Sequence, residues 1–337
     1  MVRVGIVGCG NIGKVHGYVL QQMQQVQIVA FADQKVERAF HYAKTYGTEH
    51  TGHYASLTEM LEKETIDVLH ICTPHDCHVP MAKEALEGNI HVFMEKPPAI
   101  SRKEFLTLKK VKEQSGKNVG VCFQNRYNGA TEKILELLES RVLGEVKGAR
   151  AFVTWNRQAG YYEESGWRGT WKKEGGGVLI NQAIHTLDLL VYLLGKPEDV
   201  EASMENHHLK NVIEVEDTVE AYMTFPFGNA CFYATNAFAE DSLVLLEIVC
   251  ENGRMEGNCL EVTDKAGEKK VYDFTKPQNW EGKSYWGHSH QACICDFYKS
   301  LAEGVAYRNS LESVEDTFEL VMKIYENCKD KMNLGGR

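Results

Sequence analysis

The sequence predicts an α/β Rossmann domain, a parallel doubly wound sheet, followed by an α+β domain with a large open, mainly antiparallel sheet. Three observations lead there. The glycine-rich stretch "MVRVGIVGCGNIGKVHG" follows an apolar run at once. Short apolar runs alternate with helical patterns up to about residue 124. After about residue 150 the rhythm changes to longer strands joined by turns such as Phe227-Gly228-Asn229.

In order, "RVGIVG" reads as a buried strand and residues 11–25 as a helix. "VQIVAFAD" is a second strand, ending at Asp33. "KVERAFHYAKTYG" is a helix closed by Gly47. "IDVLHICTP" is a third strand stopped by Pro74, and "HVPMAKEALEGN" is helical. "IHVFMEKPP" is a fourth strand stopped by two prolines. "SRKEFLTLKKVKEQSG" is a helix with Ser101 as N-cap and Glu104 at the capping-box position, and "NVGVCFQNR" is a fifth strand. In the second half, "GEVKGARAFVTWN", "DTVEAYMTFPFGNACFYATNAF", "SLVLLEIVCENGRMEG" and "CLEVTD" read as strands. "GVLINQAIHTLDLLVYLLG" is one strong helix, and two more close the chain near 290–303 and 312–329. The expected division is the α/β domain over 1–124 and the α+β domain over 125–337, the last helix free to pack back on the first domain.

Composition narrows the function. The chain has 337 residues, 43% hydrophobic and 25% charged, enough for two domains of roughly 150 residues. The net charge of −10 argues against nucleic acid, which needs clustered Lys and Arg. No run approaches the ~20 apolar residues of a membrane span, and Gly5 and Gly8 interrupt any signal-peptide core. The ten cysteines are scattered through apolar runs, without a CxxC pair, so they read as buried thiols of a reducing cytoplasm and no metal site is expected.

The glycine motif has a context. It follows a strand, opens a helix, and is followed 20 residues after Gly13 by Asp33 at the end of the next strand, near the spacing of a ribose-binding acid. Gly8 permits the tight turn, Gly10 lets backbone approach a pyrophosphate, and Gly13 lets helix and strand pack closely. Asn11 and Ile12 lie between them at the helix N-terminus, whose N–H groups suit phosphate. Asp33 accepts both ribose hydroxyls and repels a 2′-phosphate, so NAD is expected over NADP. Lys35 and Arg38 read as an exposed helix face.

Three further motifs complete a pattern: "CTPHDCHVP" after the third strand, "MEKPPAI" after the fourth, and "EGGGVLINQAIHTLDLL" opening the second-domain helix. Together with the opening motif they make the chain resemble the Gfo/Idh/MocA family of NAD(P)-dependent oxidoreductases over nearly its whole length. The resemblance implies a Rossmann domain joined to an α/β domain whose open sheet forms one active-site wall and commonly an oligomer contact. A homodimer or homotetramer acting on a sugar, cyclitol or sugar-nucleotide follows from it.

It also implies roles. Lys96 of "EKP" is the expected catalytic lysine, with Glu95 and Pro97 shaping its turn. It lies at the carboxyl end of a parallel strand, where such sheets bind ligands. A cation there stabilises a developing alkoxide. His185 matches the histidine after the triple glycine and would take the hydroxyl proton. Asp188, three residues on, either orients the imidazole or caps a neighbouring loop. Many members carry Asp four residues before the histidine; Asn181 stands there and cannot take a proton. The "NQ…H" form leans away from inositol toward glycosides and sugar-nucleotides. Thr73, Pro74 and His78 are expected beside the cofactor, with His75 where the family often has Asn. Arg126 of "QNRYN" either touches cofactor or substrate or forms a structural ion pair. Trp155, Arg157, Tyr162, Trp167 and Arg168 either line a sugar pocket, since aromatic faces stack on sugar C–H faces, or pack on the second sheet or a partner. His288 resembles a late family histidine.

The expected function is NAD-dependent oxidation of a secondary hydroxyl on a sugar, glycoside or sugar derivative. Lys96, Arg126, Trp155, Tyr162, Trp167, Arg168, Asn181 and His185 are the expected substrate contacts. The alternatives are a glycoside-cleaving enzyme that oxidises its substrate transiently, and a non-enzymatic NAD-binding regulator, which should have lost Lys96 or His185.

Overall fold

A computed structural model describes residues 1–263, 267–275 and 289–334. The chain divides into two compact units, Met1–Phe123 with His290–Val314, and Gln124–Ser289 with Glu315–Arg337.

The first unit holds β1 (Val2–Val7), β2 (Val26–Ala32), β3 (Gly52–Tyr54), β4 (Val68–Ile71), β5 (His91–Met94) and β6 (Val119–Val121). They form one sheet in the order β3-β2-β1-β4-β5-β6, with every pair parallel. The central strands are covered on both faces; Val4, Ile6, Leu69, Ile71, Val92 and Phe93 have no exposure. This is why they read as continuous apolar runs and not as alternation. The helices are α1 (Asn11–Leu20), α2 (Val36–Tyr46), α3 (Leu57–Lys63), α4 (His78–Glu87), α5 (Arg102–Ser115) and, far along the chain, α9 (His290–Glu303). α1 stops at Leu20, well short of residue 25. Ser101 caps α5 by accepting Glu104 N–H, and Glu104 in turn accepts Ile100 N–H. β3 and α3 escape the sequence reading, because three residues are too few to show a period of two.

The second unit contains α6 (Gly129–Glu139), β7 (Val146–Thr154), α7 (Ala159–Glu163), α8 (Ile184–Leu194), β8 (Asp199–Glu205), β9 (Thr218–Phe225), β10 (Gly228–Thr235), β11 (Leu245–Cys250), β12 (Gly253–Glu256), β13 (Cys259–Thr263), β14 (Lys269–Asp273) and α10 (Glu315–Leu334). The eight strands run β14-β13-β12-β11-β7-β10-β9-β8, antiparallel except for the β7–β10 pair. β9 shows the period-two signature of a sheet with one covered face. Val219, Ala221, Met223 and Phe225 are buried, while Glu220 and Tyr222 are exposed. α8 packs on β7, and α10 on α8 and β8. It is thus α9, not the last helix, that joins the first unit. The strong helix read from residue 177 does not start as a regular α-helix. Leu179–Ala183 form a π-helical turn ahead of α8, a local widening common at functional sites.

Candidate active site

In the first unit the turn between β1 and α1 is built as the glycines require. Gly8 has φ +95, and a Cβ there would meet the Cys72 carbonyl oxygen at 2.5 Å. A Cβ on Gly13 would lie 2.3 Å from the Gly8 carbonyl oxygen. Gly10 is different: a Cβ there meets nothing within 4 Å. The protein itself leaves that space open, at the start of a helix whose N-terminal N–H groups are not capped by the side chain of its N-cap residue. Tyr42 pins the turn by donating to the Gly10 carbonyl at 3.0 Å.

Asp33, just past β2, accepts Cys9 N–H and Lys35 N–H, each at 2.8 Å. Each oxygen keeps a second acceptor position for a ribose hydroxyl. At the end of β4, Thr73 Oγ1 is buried without a hydrogen-bond partner, a polar atom that suits a bound group. His78 ties the two loops together, its ring nitrogens facing the Pro97 carbonyl at 2.8 Å and the Thr73 carbonyl at 3.0 Å. Burial lowers its pKa, so the neutral ring donates to only one of them. This shape fits a dinucleotide. Asn11, Ile12 and Gly13 offer backbone N–H groups, Asp33 a carboxylate and Thr73 a hydroxyl.

Lys96 follows β5, half-buried, between buried Glu95 and a cis peptide bond to Pro97. Burial works against ionisation of Glu95, yet the hydrogen bond from His16 and nearby positive groups hold its carboxyl well below the usual carboxylate range.

In the second unit the π-helical turn gathers the other candidates. Asn181 Nδ2 donates to Glu174, which has no exposure and also accepts Gly169 N–H. Gln182 Nε2 donates to the Tyr161 hydroxyl at 3.0 Å, and Tyr161 lies under the Arg168 guanidinium at 4.4 Å. Trp167 faces the same guanidinium at 4.8 Å. Arg157 stacks at 5.0 Å over Trp155 and pairs with Asp241 at 2.7 Å. Two polar atoms of this wall, Gln182 Oε1 and Arg168 Nε, are buried without hydrogen-bond partners. His185, one turn on, is half-exposed.

Three residues are held by partners of their own. Arg126 is 1% exposed and forms a two-pronged pair with Asp188, with Nε to Oδ2 at 2.8 Å, under the Tyr192 ring at 4.5 Å. The ion pair named in one of the two readings of Arg126 is present. Asp188, also held by Thr317 at 2.8 Å, is spent on that pair. Tyr162 packs in an apolar cluster with Leu209, Ile213 and Val215, its hydroxyl accepting Asn236 Nδ2 at 2.9 Å. The aromatic that meets the amides is Tyr161. His288 lies outside the described residues.

Sequence reasoning missed Glu174 and Glu216. Glu216 accepts Gly177 N–H, Leu179 N–H and the Tyr325 hydroxyl, and so holds the start of the π-helical turn. Burial pushes both carboxyls up to about 7. The acid directly before the triple glycine was visible in "EGGG"; Glu216 carried no local signal.

Two family models match. Residues 2–123 match the oxidoreductase family with an NAD-binding Rossmann fold, and residues 131–256 match the GFO/IDH/MocA C-terminal domain. The chain is 31% identical over 199 residues to D-glucoside 3-dehydrogenase of Escherichia coli (strain K12), covering 58% of this chain and 55% of that protein. It is 27% identical over 190 residues to a glycosyl hydrolase family 109 protein 1 of Shewanella sp. (strain MR-4), covering 53% and 41%. The chain therefore matches about half the length of these curated relatives. Among solved structures, the WlbA dehydrogenase of Bordetella pertussis, in complex with NADH and UDP-GlcNAcA, superposes with a TM-score of 0.83 at 25% identity, covering 98% of this chain and 97% of that one.

Proposed function

Because the chain belongs to the Gfo/Idh/MocA oxidoreductase family, we propose that it is an NAD-dependent dehydrogenase that oxidises a secondary hydroxyl of a sugar, glycoside or sugar derivative to a ketone. When bound, NAD supplies the hydride acceptor at the substrate carbon. The chain's residues do the rest. The N–H groups of the Gly10–Gly13 turn take the phosphates, and Asp33 the adenosine ribose. Lys96 hydrogen-bonds the reacting oxygen and stabilises its developing negative charge, while His185 takes the hydroxyl proton. Asn181 hydrogen-bonds the substrate and does not titrate.

The observation that carries the sugar reading is the wall around Gln182 and Arg168. Two buried polar atoms without partners sit by Tyr161 and Trp167, and Arg157 stacks on both Tyr161 and Trp155. Polyhydroxylated rings satisfy both halves, since their hydroxyls pair with the amide and guanidinium and their C–H faces cover the aromatics. The similarity to D-glucoside 3-dehydrogenase and to WlbA supports it. The test is NAD reduction measured at 340 nm against a panel of free sugars, glycosides, sugar-nucleotides and cyclitols. Turnover with a hexose derivative is expected; turnover confined to cyclitols or non-carbohydrates overturns the reading.

The likeness to a glycosyl hydrolase family 109 protein favours a second reading, transient oxidation of a glycoside, elimination of the aglycone and re-reduction. Aglycone release without net NADH accumulation would select it.

A further inference from the structure

Inside the first unit, four side chains, three from α9, β4 and α1 and one from the turn after β5, form one unbroken hydrogen-bonded chain. Tyr298 of α9 meets His70 Nε2 of β4 at 2.8 Å, His70 Nδ1 meets His16 Nδ1 of α1 at 2.8 Å, and His16 Nε2 meets Glu95 Oε1 at 3.2 Å. Tyr298 is 3% exposed, both histidines 0% and Glu95 7%. A run of this length through an apolar core is costly unless every member is satisfied, and nothing in the coenzyme cradle uses the two histidines or the tyrosine.

The direction of the chain turns on one choice, the His70 tautomer. His70 is neutral, its pKa lowered by burial and by His16, so its ring carries one N–H. If that proton sits on Nδ1, the Tyr298 hydroxyl donates to His70 Nε2, His70 donates to His16 Nδ1, and His16 donates from Nε2 to Glu95. Three bonds then hold three protons, all pointing toward the carboxylate. With the proton on His70 Nε2, His16 would have to be doubly protonated and Tyr298 would become an acceptor. Other groups facing Glu95 are Lys96 beside it, His290 from α9, the Cys72 thiol after β4 and the Cys122 thiol after β6, with His78 beyond. His290 is held neutral, its pKa lowered to about 4 by burial. The thiols are pushed well up by burial. Lys96 thus stands beside the carboxylate, to which His16 supplies the relay's hydrogen bond and the Cys122 thiol a second contact.

We propose that Tyr298, His70 and His16 are positioning residues: a polarised relay that delivers one N–H to Glu95, keeps that carboxylate ionised in the core, and through it holds Lys96 as a cation for the reaction. The proposal rests on the reading of Lys96 as the catalytic lysine. Loss of the relay leaves a buried carboxyl that regains a proton, and the ammonium next to it loses its counter-charge.

The first test needs no turnover. Histidine 15N-labelled protein without coenzyme, observed at pH 7.5 by two-bond 15N–1H correlation, is expected to show His70 protonated at Nδ1 and His16 protonated at Nε2. His70 protonated at Nε2 overturns the relay. So does a stoichiometric metal ion in the purified protein, since His16, Glu95 and Cys122 bring three ligating atoms within 4.8 Å. The second test compares His16→Leu with His16→Gln, whose amide can accept from His70 and donate to Glu95. His16→Leu is expected to lower kcat about tenfold or more and to move the acid limb of the kcat profile up by about one pH unit, with KM little changed. His16→Gln is expected to recover most of the rate and the original acid limb. Equal loss in both variants, or an unmoved acid limb in His16→Leu, overturns the proposal. Should His16→Leu fail to fold, Tyr298→Phe removes one hydroxyl at constant shape and is expected to mix the His70 tautomers; an unchanged His70 spectrum overturns the proposal. Lys96→Ala separates the two layers. If it retains turnover, the reading of Lys96 fails even where the tautomers are as stated. If it is inactive and the tautomers are wrong, only the relay fails.

Discussion

Asn181 gives a side-chain N–H to Glu174, a carboxyl with no exposure to solvent. An ionised carboxylate only accepts hydrogen bonds, so it dictates which end of the amide faces it; a protonated one can turn the amide round. The residue that sequence reasoning singled out is therefore set by one it passed over.

That carboxyl should leave a mark on stability. Burial raises Glu174 and Glu216 to about 7 in the folded chain, against about 4.3 when unfolded. Between those values the folded chain holds protons that the unfolded chain has lost, so stability falls as pH rises through the window. His290, its pKa lowered to about 4, acts in the opposite sense below its unfolded value. Comparing Glu174→Gln with the parent chain cancels it. The variant is expected to flatten the decline of unfolding free energy between pH 5 and 8, by on the order of 1 kcal/mol or more, and the decline of Tm with it. Parallel Tm curves for variant and parent would refute the assignment.

The three glycines of the first turn should separate by experiment. Gly13→Ala puts a methyl 2.3 Å from the Gly8 carbonyl and is expected to lower Tm and coenzyme affinity together. Gly10→Ala meets nothing in the protein and stands in extended backbone, φ −99. It is expected to keep the parent Tm and to weaken NAD binding about tenfold or more in calorimetric titration, because the methyl fills space kept for phosphate. Unchanged affinity in Gly10→Ala would place the phosphates elsewhere.

Arg126 and Asp188 form a buried pair, each side chain 1% exposed. Arg126→Met strands the carboxylate in the core and is expected to cost ~3–5 kcal/mol in urea unfolding. Adding Asp188→Leu should recover a large part of that loss. A double variant no more stable than the single one would show that Asp188 does not depend on this partner.

Lys96→Ala and His185→Ala are expected to bind NAD with nearly parent affinity and to lose turnover by several orders of magnitude. A rate near the parent's in either variant removes that residue from the mechanism.

Much of the fold was legible because it rests on local rules. "RVGIVG", the three glycines and Asp33 form a strand, a turn and an acid whose meaning depends on spacing alone. The prolines after "HICT" and "VFMEK" mark where strands end and ligand loops begin, and alternation in "TVEAYMTF" announces a half-covered sheet. What escaped has a physical reason too. β3 is too short to carry a period. β8 alternates acids with small residues in "DVEASME", which reads as polar until its partner β9 is known. The π-helical turn leaves no trace in "GGGVLINQAIH", because insertion of one residue into a helical turn does not change which residues are apolar.

The sequence by itself determined the two fold classes and the glycine motif with its acid, since each is defined by residue type at short spacing, while Lys96, His185 and Asn181 became candidates through the family resemblance. Tertiary structure alone decided the partners of buried polar groups. Arg126 finds Asp188 across 62 residues, His16 finds Glu95 across 79, and His70 finds Tyr298 across 228. A buried donor must have an acceptor, but the chain's path, and not the residue's neighbours in sequence, chooses which one.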